Sequence, residues 1–213
     1  MPRRVLIIFF CLFGVFSFAQ NEKEASLLSK VSKAGTDSEK IAALNDLAEY
    51  YYIFKLDKKA DSVLRAELVI AEVSNNKELV FQVLFSDVIT NIGSWTSVES
   101  FDRTSSFLDK GLYQAKESGR QDYQAIAYIR KASLLKKRKE FDKAIEQATL
   151  AFSALGNNTN LDSLKSGLYL ELGDIFLGKG DAVSAYRNYN NAYDLAYTIK
   201  NITLQSETFH RLS

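Results

Sequence analysis

The residues that could do chemistry are few and poorly placed for it. There is one His and one Cys in 213 residues. His210 has no Ser or Cys nucleophile arranged around it and reads as a helix-surface residue rather than a catalytic base. One Cys and one His cannot build a Cys/His zinc site. The carboxylates are spread along helix faces without a Glu-x-x-His or paired motif, so no metal site and no cofactor are expected. Gly178-Lys179-Gly180-Asp181 looks like a phosphate loop, but it lacks the G-x-x-x-x-G-K-[ST] spacing and no strand precedes it. It reads as a turn between helices. Lys136-Lys137-Arg138-Lys139 is a basic run that either complements a helix C-terminus or meets an anionic ligand. In Tyr50-Tyr51-Tyr52, Tyr51 belongs to a core stripe, whereas Tyr50 and Tyr52 point elsewhere and Tyr52 could face a ligand. Asn157-Asn158-Thr159 and Asn201-Ile202-Thr203 match the glycosylation acceptor pattern, which a bacterial chain would leave bare. A binding scaffold is the class that remains, and enzyme activity is not expected.

Composition agrees with that class. Apolar residues make up 46% and charged residues 25%, the balance of an ordinary globular chain. Lys and Arg number 27 against 26 Asp and Glu, so no global field draws in nucleic acid or an anionic membrane. The first nineteen residues read as an address. Arg3 and Arg4 precede an apolar run from Val5 to Phe16, and Ser17 and Ala19 put small residues at −3 and −1 of a cleavage site before Gln20. The run is short of the roughly 20 residues that span a bilayer, which argues against an uncleaved anchor. Cys11 follows bulky Ile8-Phe9-Phe10 rather than the small residues of a lipoprotein signal. Cleavage after Ala19 would leave 194 of the 213 residues, exported to the periplasm or outside the cell, with no stable membrane insertion. It would also remove Arg3 and Arg4, leaving 25 basic against 26 acidic side chains, a net charge of −1. The only Cys and the only Pro go too, so packing alone must hold the mature chain.

The elements that must position any site are helices. Ile41, Leu44, Leu47, Ala48 and Tyr51 form one stripe at three and four spacing, and Val63, Leu64, Leu68 and Ala71 form another. No run alternates as a strand would. Breaks at Ser74-Asn75-Asn76-Lys77, Glu117-Ser118-Gly119-Arg120, Gly156 to Asn160 and Gly178 to Asp181 are short, so neighbouring helices pack antiparallel. Residues 20–38 read as a lead-in without a helical stripe.

The helices repeat in pairs. Ala48 and Ala60, Ala132 and Ala144, and Gly173 and Ala185 are each twelve residues apart, and Ile92 and Thr104 keep that spacing with larger side chains. Seven or eight positions on come Glu67-Leu68, Gly111-Leu112, Ala151-Phe152 and Ala192-Tyr193. Successive units lie 44, 40 and 41 residues apart (60 to 104, 104 to 144, 144 to 185), the period of a helix-pair solenoid. Small residues recur because two closely crossing helices leave no room for long side chains.

Tyr169-x-x-Leu172-Gly173-x-x-Phe176, followed by Gly180-Asp181, Ala185, Tyr189 and Ala192, resembles a tetratricopeptide repeat. Tyr128, Ala132, Leu135, Phe141, Ala144 and Ala151 are similar, departing at Lys131, where Leu is usual, and at Ala148, where an aromatic is usual. Leu44, Leu47-Ala48, Tyr51, Ala60 and Leu64 form a further unit. Val88, Ile92, Trp95, Phe101, Thr104, Leu108 and Gly111 form the weakest. Phe209 and Leu212 begin a fifth first helix. Every unit lacks the family's terminal Pro and exceeds the usual ~34 residues. The resemblance implies an all-α, right-handed solenoid over residues 39–213, of four pairs and one extra helix. It implies a non-catalytic scaffold that binds a peptide or protein in a concave groove lined by first helices. Groove-facing positions would be Asn45, Glu49 and Tyr52, then Ser133, Lys136 and Lys137, then Asp174: acidic at both ends, basic in the middle. The alternative is the extracytoplasmic sensor region of a signalling protein such as a histidine kinase, its output domain outside this chain.

Removal of residues 1–19 is the first testable expectation. Intact-mass analysis of the exported protein should give a chain beginning at Gln20. A membrane-bound species retaining Met1 to Ala19 would contradict it.

Overall fold

The computed structural model describes residues 21–86 and 98–212. The address at residues 1–19 and the positions Val88, Ile92 and Trp95 lie outside the described residues. The chain divides into two compact units, Met1–Val83 and Leu84–Ser213. Among the described residues every regular element is a helix and none is a strand, and no helix there is long and apolar enough to cross a membrane.

In the first unit, α1 covers residues 21–33, α2 Asp37–Ile53 and α3 Asp57–Val73, and α4, Lys77–Leu84, runs to its boundary. Helix α2 starts at a capping box. The Thr36 hydroxyl accepts from the Glu39 N–H, and the Glu39 carboxylate accepts from the Thr36 N–H. Ala48 and Ala60 are fully buried where α2 meets α3, as their twelve-residue spacing implies. Helix α1 falls in the stretch read as a lead-in. Its Leu27 is 4% exposed, and its Glu24 takes hydrogen bonds from the Tyr51 hydroxyl (2.7 Å) and Lys59 (2.9 Å). Burial, and then the bond to Glu24, push the Tyr51 phenol up to about 12. Only Leu27, Leu28 and Val31 mark that helix in the sequence, too short a stripe to read as a helix. Tyr50 also departs from expectation. It is buried beside Tyr51, its ring 4.8 Å from Phe54, because α2 is covered on two sides rather than one.

In the second unit, α5 is Val98–Glu117, α6 Gln121–Lys137, α7 Phe141–Leu155, α8 Asp162–Lys179, α9 Ala182–Thr198 and α10 Ile202–Leu212. Consecutive helices pack on each other, and α8 also touches both α6 and α10. One core joins α6, α7 and α8 through Ala125, Ala132, Ala144, Ala148, Leu155 and Ile175. A second joins α8 and α9 through Leu170, Ala185, Tyr189 and Ala192.

The two departures at 131 and 148 each have a counterpart in the structure. Ala148 stands where the next unit has Tyr189, forty-one residues on. A Cβ on Gly173 would overlap the Tyr189 ring, so Tyr189 requires glycine opposite it. With Ala148 in that place no ring presses on the crossing, and the residue matching Gly173 carries a methyl group, Ala132. Lys131, where the resemblance expects Leu, reaches Asp109 on α5 at 2.6 Å.

Most turns close in one way. The N–H groups of Leu56, Arg120, Glu140, Asp181 and Asn201 each donate to the carbonyl five residues earlier, with a left-handed residue just before the donor. That residue is Gly119 or Gly180 in two turns and Lys55, Lys139 or Lys200 in the others.

Ala185→Leu should lower the unfolding free energy by about 1–3 kcal/mol through overpacking of the α8–α9 crossing. Gly180→Ala, at a φ of 90°, should cost about 1 kcal/mol. Denaturant midpoints measure both. An unchanged midpoint for Ala185→Leu would mean that a different face is buried.

Candidate functional site

The crossings set which side chains reach the remaining surface of the first helices. Ala132 on α6 and Gly173 on α8 are buried at their crossings, and Thr208 on α10 is fully buried. Half-buried side chains lie within four residues of these positions on each helix. On α6 these include Ser133 and Lys136, on α8 Glu171 and Asp174, and on α10 Arg211; Lys137 ends α6, farther round.

These side chains meet. Ser133 Oγ donates to Glu171 Oε1 at 2.7 Å, and Lys136 Nζ donates to Glu171 Oε2 at 3.0 Å. Lys136 Nζ also lies 3.5 Å from Asp174 Oδ2. Asp174 Oδ1 accepts from the Tyr189 hydroxyl at 2.8 Å and from Arg211 Nε at 3.0 Å. Arg211 is paired in addition with Glu207, four residues back, at 3.3 Å. The rungs repeat. Ser133 and Asp174 are forty-one residues apart, and their partners Glu171 and Arg211 are forty apart. Donor and acceptor are exchanged between the two rungs: a hydroxyl gives to a carboxylate in one, and a carboxylate takes from a guanidinium in the other.

The side chains of Lys136, Glu171, Asp174 and Arg211 are only 15–30% exposed, so solvent screens them weakly. Lys136 and Arg211 balance Glu171 and Asp174. Burial, and then the bond to Asp174, push the Tyr189 phenol well above its ordinary range.

Three of the expected groove positions are thus brought together: Ser133, Lys136 and Asp174. The basic centre expected there is corrected, since Lys136 is held between two carboxylates that sequence reasoning did not connect to it. Glu171 and Arg211 were missed. Both lie at the same repeat position, which a search confined to the family's groove positions passes over. Lys137 is exposed at the end of α6. The rest of the basic run is dispersed: Arg138 lies over the Phe101 ring at 4.3 Å and pairs with Glu140 at 3.0 Å, and Lys139 is the left-handed turn residue. In the first unit, Asn45, Glu49 and Tyr52 share one face of α2, with Asn45 and Tyr52 half-buried and Glu49 exposed.

The remaining candidates have structural roles or stand apart. Gly180 closes α8, and Asp181 caps α9 by accepting from the Ser184 N–H at 3.0 Å. Lys179 at the end of α8 pairs with Asp142 in the first turn of α7. His210 is exposed on α10. Among the described residues no group of three or more His, Cys, Asp or Glu is placed to hold a metal ion.

No family model matches the chain, and no curated protein does. Among solved structures, BtubC (BKLC) from P. vanneervenii is similar over 88% of this chain and 76% of that one, at 15% identity and a TM-score of 0.55. At that identity the likeness is one of fold alone.

The sequence by itself predicts that reversing Lys136 and Lys137 leaves stability nearly unchanged. The geometry predicts otherwise for Lys136. Lys136→Glu would put a third carboxylate against Glu171 and Asp174 and should cost about 1–3 kcal/mol, while Lys137→Glu should cost less than about 0.5 kcal/mol. Urea unfolding of the two single variants checks the split. Equal, small effects would mean that the network contributes nothing to the fold.

Proposed function

We propose that the chain is an exported, non-catalytic scaffold of the tetratricopeptide type, a right-handed solenoid that holds a peptide or protein segment along its first helices. The observation that carries this reading is the polar ladder Ser133–Glu171–Lys136–Asp174–Arg211. It crosses α6, α8 and α10, the first helices of three successive pairs, so their outward residues share one surface. Such a surface is what an extended ligand needs, with contacts at a regular spacing. Asn45, Glu49 and Tyr52 would serve the same purpose on α2, and Lys137 at the end of α6.

The pairing within the ladder refines the partner's chemistry. A lone acidic anchor at Lys136 would compete with Glu171 and Asp174 and gain little. A ligand offering both signs can replace each internal contact it breaks, which keeps every half-buried charge satisfied. Affinity would then rest on a few anchors rather than on area.

Lys137→Glu separates binding from stability, because Lys137 lies outside the ladder. With a partner recovered from the periplasmic fraction, calorimetry should show binding weaker by about 1–3 kcal/mol for the variant and a shallower loss of affinity with added salt. Unchanged affinity and salt dependence would make the end of α6 only a solvated helix terminus.

A further inference from the structure

Glu67 breaks the pattern of its own repeat position. Seven residues after the small crossing residue, the other units have Gly111, Ala151 and Ala192, and Ala151 and Ala192 are fully buried. The first unit has a glutamate there instead. It is fully buried, at 0% exposure, and among the described residues neither carboxyl oxygen has a hydrogen-bond partner.

Among the described residues of α2, α3 and α4 no compensating charge is buried beside it. Glu67 shares α3 with Ala60, Leu64, Leu68 and Ala71, all buried. Helix α2, which packs on α3, contributes Tyr50 and Tyr51 as its buried titratable groups, and the Tyr51 hydroxyl is committed to Glu24. The charged residues of α2 (Asp37, Glu39, Lys40, Asp46 and Glu49) are exposed. On α3 itself Asp57, Lys58, Lys59, Arg65 and Glu72 are exposed, while Asp61 is half-buried and holds Arg65 at 3.2 Å. Lys77 and Glu78 of α4 are exposed as well. An ionised carboxylate without a partner or water is among the most costly groups to bury.

We infer that Glu67 is a proton-dependent lock on the first helix pair: the α2–α3 crossing closes over the neutral carboxyl and is loosened when that carboxyl ionises. Burial alone raises the Glu67 carboxyl to about 8. The sign follows from proton counting. Between the ordinary carboxyl range and about pH 8 the folded unit holds one more proton than the unfolded chain, so stability falls as pH rises. The contribution is fully in place below the ordinary carboxyl range and is gone once the pH has passed about 8. Within that window the folding equilibrium constant of the pair drops up to tenfold per pH unit. The closed pair is therefore favoured in mildly acidic surroundings and weakened in alkaline ones. The lock is independent of the groove reading, since it involves none of the ladder residues.

Hydrogen exchange on the full chain tests it, read by mass spectrometry between pH 5.5 and 8.5 and corrected for the intrinsic pH dependence of exchange. Peptides from residues 37–73 should lose protection by up to tenfold per pH unit in the wild type. Glu67→Gln, which cannot ionise, should remove that dependence, and so should Glu67→Ala, the residue of two other units. Peptides from residues 121–198 should show no such trend in any of the three proteins. If wild type and Glu67→Gln show the same pH profile, the lock is refuted. Carbon-13 NMR of the Glu67 carboxyl in the wild type gives a second reading that needs no variant. A midpoint above about pH 6.5 supports the lock, and a midpoint near the ordinary carboxyl value overturns it.

Discussion

The close crossing of paired helices at small residues is the constraint from which the rest of the molecule follows. Two helices can approach only where side chains are short, and here that requirement falls on pairs twelve residues apart, Ala132 with Ala144 and Gly173 with Ala185, all of them buried. The constraint acts on volume rather than on identity. Tyr189 faces Gly173, whereas at the matching positions of the preceding unit Ala148 and Ala132 share one core. In each unit the side chain opposite sets how large the crossing residue can be.

Once a helix is pinned at its crossing, its rotation about its own axis is set, and so is every other side chain's direction. That is why Ser133, Lys136, Glu171, Asp174 and Arg211 converge although they come from three helices and span 79 positions of the sequence, from 133 to 211. The ladder is a consequence of the crossings and a reinforcement of them. Each rung ties one first helix to the next, and its charges balance, so the surface is polar without carrying an excess of either sign. The left-handed turn residues complete the frame by reversing the chain within two or three residues.

Much of this was legible in the sequence, and the limits have physical causes. The crossing residues could be read because small side chains at a fixed spacing leave a local signature. The helices could be read from their stripes, except α1, whose stripe is too short. The individual groove positions Ser133, Lys136 and Asp174 followed from the repeat resemblance, but their mutual pairing did not. Lys136 and Glu171 are 35 residues apart, and nothing local in either helix reports that the other is near. Tyr50 was misplaced because one stripe per helix was assumed where α2 is covered on two sides. Glu67 stood in the sequence as one member of a matching position, and only its complete burial sets it apart from an ordinary surface glutamate.

A double-mutant cycle on Gly173 and Tyr189 tests the crossing constraint most directly. If volume at the crossing governs the packing, Gly173→Ala alone should destabilise the chain by about 1–3 kcal/mol. In the Tyr189→Ala background, where the pair becomes the Ala–Ala combination already present at 132 and 148, the same substitution should cost much less, giving a coupling of at least about 1 kcal/mol. Additive effects, with Gly173→Ala equally costly in both backgrounds, would contradict the account, because Gly173 would then matter for its backbone and not for the room it leaves.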